Sequence, residues 1–115
     1  MQTFTALADP TRRRIVEMLA RGALPAGTIA ERFPVSSSAV SQHLKVLREA
    51  KLVTVRVAAQ QRIYELDPTG LAEIDAWLDG LGPAWQKRID ALERERLDDG
   101  GRGVPRWRDA RAAGG

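Results

Sequence analysis

Close to Ala50 the spacing of the apolar residues changes from a helical to a strand-like period, and this change limits the possible folds. Before it, Val40, Leu44 and Leu47 follow one another at i, i+4 and i+7, the spacing of one helical face. After it, apolar and polar side chains alternate over residues 53–57, as they do in a half-buried strand. The chain therefore combines helices with a small β element.

A second strand-like run at residues 62–66 completes a candidate β hairpin. A turn centred on Ala59-Gln60 predicts three cross-strand pairs, which are Val55 with Tyr64, Val53 with Leu66, and Arg56 with Ile63. The AAQQ segment lacks the glycine, asparagine or aspartate that tight hairpin turns favour. We therefore expect a looser, mobile tip.

Three helices are predicted before this hairpin. Asp9-Pro10, a capping residue followed by proline, predicts a helix that begins there and stops near Arg21. A second helical segment, 26–33, is ended by Pro34, and Ser36 can cap the next helix. Two helices separated by a few residues, the second amphipathic and basic, indicate a helix-turn-helix.

The C-terminal part predicts a long helix that begins at Asp67-Pro68 and carries a heptad seam. The seam consists of Leu71, Ile74, Leu78, Leu81, Trp85, Ile89 and Leu92. It is longer than a small core can cover, so we expect a partner chain to cover it together with Phe4 and Leu7 of a short N-terminal helix. Pro83 predicts a kink or break. Residues 98–115 are predicted to be disordered.

Length and charge restrict the class of protein. The chain has 115 residues, 43% hydrophobic and 29% charged, and contains no cysteine, which fits one small globular domain without disulfides. No apolar run approaches the roughly 20 residues of a membrane span, and the N-terminus does not have the pattern of a secretory signal. We therefore expect a cytoplasmic protein. Residues 1–66 carry ten Lys or Arg against five Asp or Glu, and this basic half suggests a polyanionic partner.

The order helix, helix-turn-helix, hairpin and long helix resembles the ArsR-type (arsenical-repressor-like) winged helix-turn-helix regulators. The resemblance rests on LADPTRRRIVEMLA from Leu7, on TIAERFPVSSSAVSQHLKVLREAKLV from Thr28 and on RIYELDPTGLAEI from Arg62. It implies a mostly α fold with a small β hairpin, a DNA-binding region at 1–66 and a dimerisation helix at 67–97. It further implies a homodimeric repressor that places two recognition helices in successive major grooves of an inverted-repeat operator.

The chain departs from the family pattern in three places. Lys51 stands where the family usually has glycine, and the wing tip lacks its usual glycine. Metal-sensing members carry cysteines in the first helix of the helix-turn-helix, or His, Asp and Glu clusters on the last helix. This chain has no cysteine and no histidine after His43, so we expect no metal site, no cofactor and a place in the branch that lacks metal sensing.

The candidate DNA-binding residues belong to the recognition helix and the wing. Short side chains near the start of a recognition helix, and longer ones a turn later, can reach base edges in a major groove. The predicted set is Ser37, Ser38, Ala39, Ser41, Gln42, Lys45, Arg56 and Arg62. His43, at the border of the inward face, is expected to pack and to form hydrogen bonds beside this surface.

Other functions remain open at the level of sequence. An enzyme has little support, because no acid, base and nucleophile converge. A winged-helix protein-interaction module and a nonspecific architectural DNA-binding protein are alternatives that DNA-binding measurements would separate. A small-molecule pocket near Trp85 is a further hypothesis. The sequence does not identify an operator, regulated genes or an effector, nor does it separate repression from activation.

Overall fold

The computed structural model describes residues 2–99, with side chains described for residues 2–94. This part of the chain contains five helices and a three-stranded antiparallel sheet, so the prediction of a mostly α fold with a small β hairpin is confirmed. The helices are α1 Gln2–Leu7, α2 Pro10–Leu19, α3 Ala26–Glu31, α4 Ser37–Glu49 and α5 Pro68–Asp99. The strands are β1 Leu24–Pro25, β2 Val53–Ala58 and β3 Gln61–Leu66.

The chain divides between Ile74 and Asp75 into two compact units, so the division lies within α5. The family resemblance predicts that the DNA-binding region ends earlier, after Leu66. In the first unit, Leu71 and Ile74 pack against the hydrophobic core, and they connect the start of α5 to it. The core combines helical and strand residues, and its fully buried members include Ile15, Ile29, Val40, Leu44, Leu47, Leu52 and Val53.

Both predicted helix caps are present. The Asp9 side chain accepts a hydrogen bond from the backbone N–H of Arg12, with Pro10 in the first turn of α2. The Ser36 hydroxyl accepts one from the backbone N–H of Ala39 at 3.1 Å and caps α4. These bonds satisfy donors that a helix leaves unpaired at its first turn, so the two caps fix where α2 and α4 begin.

The short helix α1 packs against the core of the first unit. Ala6 is part of this core and Leu7 packs against it, so part of the apolar side of α1 is covered within the single chain. Thr3 is buried, and its hydroxyl donates to Glu73 Oε2 at 2.6 Å. This hydrogen bond connects α1 to the first turns of α5.

The end of α4 is a Schellman motif centred on Lys51. The backbone N–H of Leu52 donates to the carbonyl of Leu47, and the N–H of Lys51 donates to that of Arg48, both at 3.0 Å. Lys51 has a φ of 59°, the left-handed conformation that glycine usually supplies at this position. Because lysine replaces the usual glycine of the family here, the positive φ at position 51 costs free energy, as it does in any L-residue.

The first turn of α5 packs against the corner at Lys51. The N–H of Gly70 donates to the carbonyl oxygen of Lys51 at 2.7 Å. A Cβ at position 70 would lie 2.5 Å from that oxygen, which is closer than a carbon atom can approach it. Only glycine at this position allows α5 to begin so close to the end of α4.

The register of the hairpin is confirmed for all three predicted pairs, Val53 with Leu66, Val55 with Tyr64, and Arg56 with Ile63. The prediction of a looser tip is wrong, because Ala58 pairs with Gln61 and only two residues connect the strands. Those residues, Ala59 and Gln60, both have positive φ, at 49° and 67°, as in a type I′ turn. The twist of the strands favours this tight turn despite side chains that do not favour positive φ.

The sheet contains one strand that the sequence pattern did not indicate. Leu24 pairs with Tyr64 and Pro25 with Ile63, so β1 adds to the outer edge of β3 and the strand order is β1-β3-β2. A two-residue strand is too short to show a period of two. Proline is tolerated in it because β1 is an edge strand.

Helix α5 is continuous through Pro83 over its 32 residues, so the predicted break is wrong, while a kink stays a prediction. Residues 98–99, predicted to be disordered, belong to this helix, and residues 100–115 lie outside the described part. The predicted length of about thirty helical residues is confirmed. Among the described helices, none has an apolar stretch long enough for a membrane crossing.

The left-handed conformation of Lys51 gives a test of the corner. Lys51→Gly should raise the free energy of unfolding by about 0.5–1 kcal/mol, because glycine adopts positive φ without steric cost. The matched control is Glu49→Gly, in the last helical residue of α4, which should lower it by a similar amount. Urea unfolding at one protein concentration measures both, and equal destabilisation by the two glycines would contradict this description of the corner.

Candidate nucleic-acid interface

Helix α4 presents its polar face outward. Its apolar residues Val40, Leu44 and Leu47 are buried, which directs the opposite side of the helix away from the core. The predicted DNA-binding residues on that side are exposed, except for Ala39, which is half-buried; they are Ser37, Ser38, Ser41, Gln42 and Lys45. The structure therefore brings six predicted residues together on one helix.

The two predicted wing arginines lie on opposite faces of the hairpin. Residues paired across an antiparallel ladder point to the same face, so Arg62 shares the face of its partner Val57 and Arg56 that of Ile63. The face that carries Arg62 also carries the buried Tyr64, and it turns toward α4. The structure therefore groups Arg62 with the helix residues and places Arg56 apart from them.

Arg56 has an acidic neighbour on its own face. Its Nε lies 4.0 Å from Glu65 Oε1, and the two side chains are 57% and 48% exposed. An ion pair this long and this exposed contributes little to stability, so it does not immobilise the guanidinium. Glu65 nevertheless reduces the local positive charge around Arg56.

A basic groove of about 250 Å³ lies between α4 and β3. We call it the recognition groove, and its lining residues are Ser41, Gln42, Leu44, Lys45, Arg48, Arg62 and Tyr64. Three of these side chains are cationic and none is acidic. Such a groove attracts a phosphate group, and the adjoining polar side chains of α4 can contact bases at the same time.

Arg48 is the cationic member of the recognition groove that the sequence prediction missed. It follows Lys45 by three residues and Ser41 by seven, so helical spacing puts all three on one side of α4. The same periodicity that identified Lys45 could have identified it. The site thus has a third cation beside the predicted Lys45 and Arg62.

His43 lies beside this surface and contacts the start of α2. Its Nδ1 is 3.4 Å from Arg12 Nη1 and 3.9 Å from Asp9 Oδ2, and its side chain is 21% exposed. Because a guanidinium only donates, Nδ1 accepts the bond from Arg12. The interpretation of His43 as a hydrogen-bonding residue at the border of the helix is confirmed.

The arginines at the start of α2 are engaged with the end of α1. Arg12 Nε donates to the carbonyl of Ala6 at 2.6 Å, and Arg13 Nη1 donates to that of Leu7 at 2.8 Å. The C-terminal carbonyls of a helix attract cations and lack partners within the helix. These two guanidinium groups therefore hold α1 in place.

Asp9 has a lowered pKa at this junction. The hydrogen bond from the backbone N–H of Arg12 is the largest cause of the lowered pKa, and electrostatic interactions with His43 and Arg12 also favour the carboxylate. Partial burial acts in the opposite direction and is outweighed. The ionised form of the cap is thus the one that the folded chain stabilises.

The described residues contain no cluster of three or more His, Cys, Asp or Glu side chains that could hold a metal ion. The expectation of a metal-free chain remains a prediction.

An exposed polar and basic recognition helix, a preceding short helix and a hairpin wing define a winged helix-turn-helix DNA-binding protein. A model of a helix-turn-helix domain family matches residues 7–56. Over 78 residues the chain is 56% identical to the HTH-type transcriptional regulator Rv2034 of Mycobacterium tuberculosis, covering 68% of this chain and 73% of that protein. It is 37% identical to the transcriptional repressor SdpR of Bacillus subtilis over 75 residues, 65% of this chain and 83% of SdpR.

A solved structure described as a possible transcriptional regulator for arsenical resistance superimposes with a TM-score of 0.65 at 43% identity. The match covers 85% of this chain and 96% of that one. The chain belongs to the ArsR family of winged helix-turn-helix transcriptional regulators. It is a DNA-binding regulator and not an enzyme.

The lowered pKa of Asp9 makes stability depend on pH. A lowered carboxyl pKa contributes stability that is present above the pKa of the unfolded chain, about 4, and is lost as the pH falls through the folded value. Wild type should therefore be more stable than Asp9→Asn at pH 7, and the difference should close below pH 4. Urea unfolding of both proteins from pH 7 to pH 3 measures it. A difference that stays constant over this range would contradict the assignment.

Proposed function

We propose that the chain is a homodimeric, metal-independent repressor that binds an inverted-repeat operator. The recognition groove carries this proposal, because three cations without a carboxylate lie next to the exposed polar face of α4. The description of the relative SdpR as a transcriptional repressor supports repression. Such a regulator acts in the cytoplasm, where bacterial DNA is located.

In this proposal α4 lies in the major groove and its first turns read the bases. Gln42 is suited to bidentate pairing with adenine, and Ser38 and Ser41 can each donate or accept a hydrogen bond. Ser37 can contact a phosphate at the helix N-terminus, while Ala39 can contact a thymine methyl group. The exposure of the polar members of this set supports the assignment.

The recognition groove would hold the DNA backbone between α4 and the wing. Lys45, Arg48 and Arg62 would contact phosphates, which fix the position of the protein on DNA without reading its sequence. Arg56 would make a weaker contact, because it lies on the other face of the hairpin with Glu65 beside it. Among the wing residues, Arg62 is therefore expected to contribute more to affinity.

The proposed dimer interface uses the apolar stripe of α5. Trp77, Leu81 and Trp85 follow one another at intervals of four residues and are 48%, 42% and 45% exposed. A row of large apolar side chains on one helical face is typical of a helix that packs against a partner. Leu78 is half-buried, while Leu92 is exposed and extends the row.

Other members of the predicted interface are covered to different degrees within the single chain. Leu7, Leu71 and Ile74 pack partly against the core of the first unit, and Phe4 is half-buried. Ile89 is only 1% exposed, so a partner could bury little more of it. Trp77, Leu81 and Trp85 therefore offer the apolar area on which dimerisation would depend.

Metal independence rests on the donor chemistry of the sequence. Transition-metal sensing needs thiolates or several imidazoles that converge on one ion. The chain has no cysteine, and its single histidine, His43, contacts Arg12. A positively charged neighbour disfavours a metal ion at this imidazole.

DNA binding tests the proposed contacts. Arg62→Ala and Lys45→Ala should each weaken operator binding and lower the slope of log affinity against log salt by about 1, because each removes a phosphate contact. Arg56→Ala should have a smaller effect in the same direction. Gln42→Ala should relax sequence preference, with a loss of about 1–3 kcal/mol confined to the preferred base. Titrations of operator and scrambled DNA at several salt concentrations measure these changes.

Lys87→Ala, which removes an exposed cation from α5, serves as the matched control and should bind as wild type does. Equal binding by wild type and all four variants would refute the docking geometry. Salt-sensitive binding that does not distinguish operator from scrambled DNA would instead indicate an architectural DNA-binding protein. A chain without salt-sensitive DNA binding would fit a protein-interaction module.

The oligomeric state tests the apolar stripe. The wild-type chain should be a dimer at micromolar concentration, and Leu81→Glu should shift it to monomer, because a carboxylate would be desolvated in the interface. Lys87→Glu, elsewhere on α5, should remain dimeric. Light scattering at matched concentrations gives the mass of each protein. A monomeric wild type would contradict the proposed interface.

A further inference from the structure

A second basic depression lies in the first unit, between α2 and the end of α3. Its volume is about 320 Å³, and it shares no residue with the recognition groove. We call it the arginine pocket, and it is lined by Arg14, Glu17, Met18, Arg21, Arg32 and Phe33. Neither the DNA contacts nor the dimer interface proposed above uses these side chains.

The pocket combines charged walls with an apolar floor. Arg14 and Met18 are spaced at i and i+4, so they share one face of α2, and Arg21 lies in the turn that follows this helix. Met18 and Phe33 are half-buried and pack against the hydrophobic core, whereas the three arginines are exposed. A molecule in the pocket would therefore contact guanidinium groups at the rim of the pocket and apolar side chains at its floor.

The charge of the pocket is not balanced within the described part of the chain. Three guanidinium groups face a single carboxylate, that of Glu17. Unlike those of Arg12 and Arg13, the guanidinium groups of Arg14, Arg21 and Arg32 form no hydrogen bond or ion pair with residues 2–94. Guanidinium groups bind carboxylate and phosphate oxygens in a bidentate manner, so an anion is the ligand that these groups favour.

We propose that the arginine pocket binds a small organic anion, namely a carboxylate or phosphate monoester that carries a compact apolar body. The anionic group would lie between Arg14 and Arg32, and the apolar body would contact Met18 and Phe33. The volume is at the lower end of the range for small-molecule sites, roughly 300–1,000 Å³, which fits a ligand with one aromatic ring.

The position of the pocket would allow such a ligand to influence the DNA-binding surface. Arg32 and Phe33 follow the last residue of α3, and the next residues form the turn that leads to the Ser36 cap of α4. A ligand held there would fix the angle at which the recognition helix leaves the turn. This regulatory consequence rests on the proposed function, whereas ligand binding itself does not.

Amide chemical shifts of the full chain, recorded without DNA, test binding directly. The probes are phenyl phosphate and benzoate, with inorganic phosphate and neutral benzyl alcohol as comparisons. We expect saturable shifts at Met18 and Phe33 with at least one of the two aromatic anions. Inorganic phosphate should bind more weakly because it lacks the apolar body, and benzyl alcohol more weakly because it lacks the charge.

Two variants test the arginines. Arg14→Gln and Arg32→Gln should each weaken binding of the better probe about ten-fold, because each removes a charge-assisted hydrogen bond. Arg88→Gln, an exposed arginine of α5, is the matched control and should bind as wild type does. The amide spectrum of each free variant shows that it remains folded.

Failure of both aromatic anions to give saturable shifts would overturn the proposal, and so would equal binding of benzyl alcohol. If the probes do not bind while Arg14→Gln and Arg32→Gln weaken DNA binding, the pocket is a DNA phosphate contact instead. Because ligand binding is measured without DNA, a failure of operator recognition would leave the result intact and would bear only on the proposed function.

Discussion

The relative placement of the recognition helix, the wing and the first turn of α5 depends on one corner of backbone hydrogen bonds. At this corner the N–H of Leu52 closes the end of α4, the carbonyl of Leu52 accepts from Asp67 at 2.9 Å, and the carbonyl of Lys51 accepts from Gly70. The bonds join the end of α4 to the start of β2 and to the start of α5. The recognition groove begins beside this corner, because it lies between α4 and β3.

Much of the fold follows from local chemistry that can be read in the sequence. The caps at Asp9 and Ser36 and the inward face of α4 were predictable, because each depends on side chains within a few residues of one another. The register of the hairpin was predictable as well, because the position of the turn and the alternation of apolar residues determine it. The tight turn at Ala59-Gln60 was not, because strand pairing overrode the conformational preference of its side chains. Pro83 likewise does not end α5, although its local chemistry predicts an interruption.

The candidate site was predictable in composition and less so in arrangement. Helical spacing identified Gln42 and Lys45. The same spacing also places the cationic Arg48 on the side of α4 that carries Lys45. Arg56 and Arg62 look equivalent in sequence, but strand pairing separates them onto opposite faces. His43, the only histidine of the sequence, contacts Arg12 as its position at the border of α4 predicts, and this contact helps to position α2 beside α4.

The most direct test of operator recognition is footprinting of the DNA upstream of the chain's own gene, repeated at several salt concentrations. The account predicts a protected inverted repeat with half-sites about one helical turn apart, roughly 34–36 Å, protected less strongly as salt increases. Uniform protection without symmetry, or no protection even at low salt, would contradict the central claim that this chain reads an operator as a symmetric dimer.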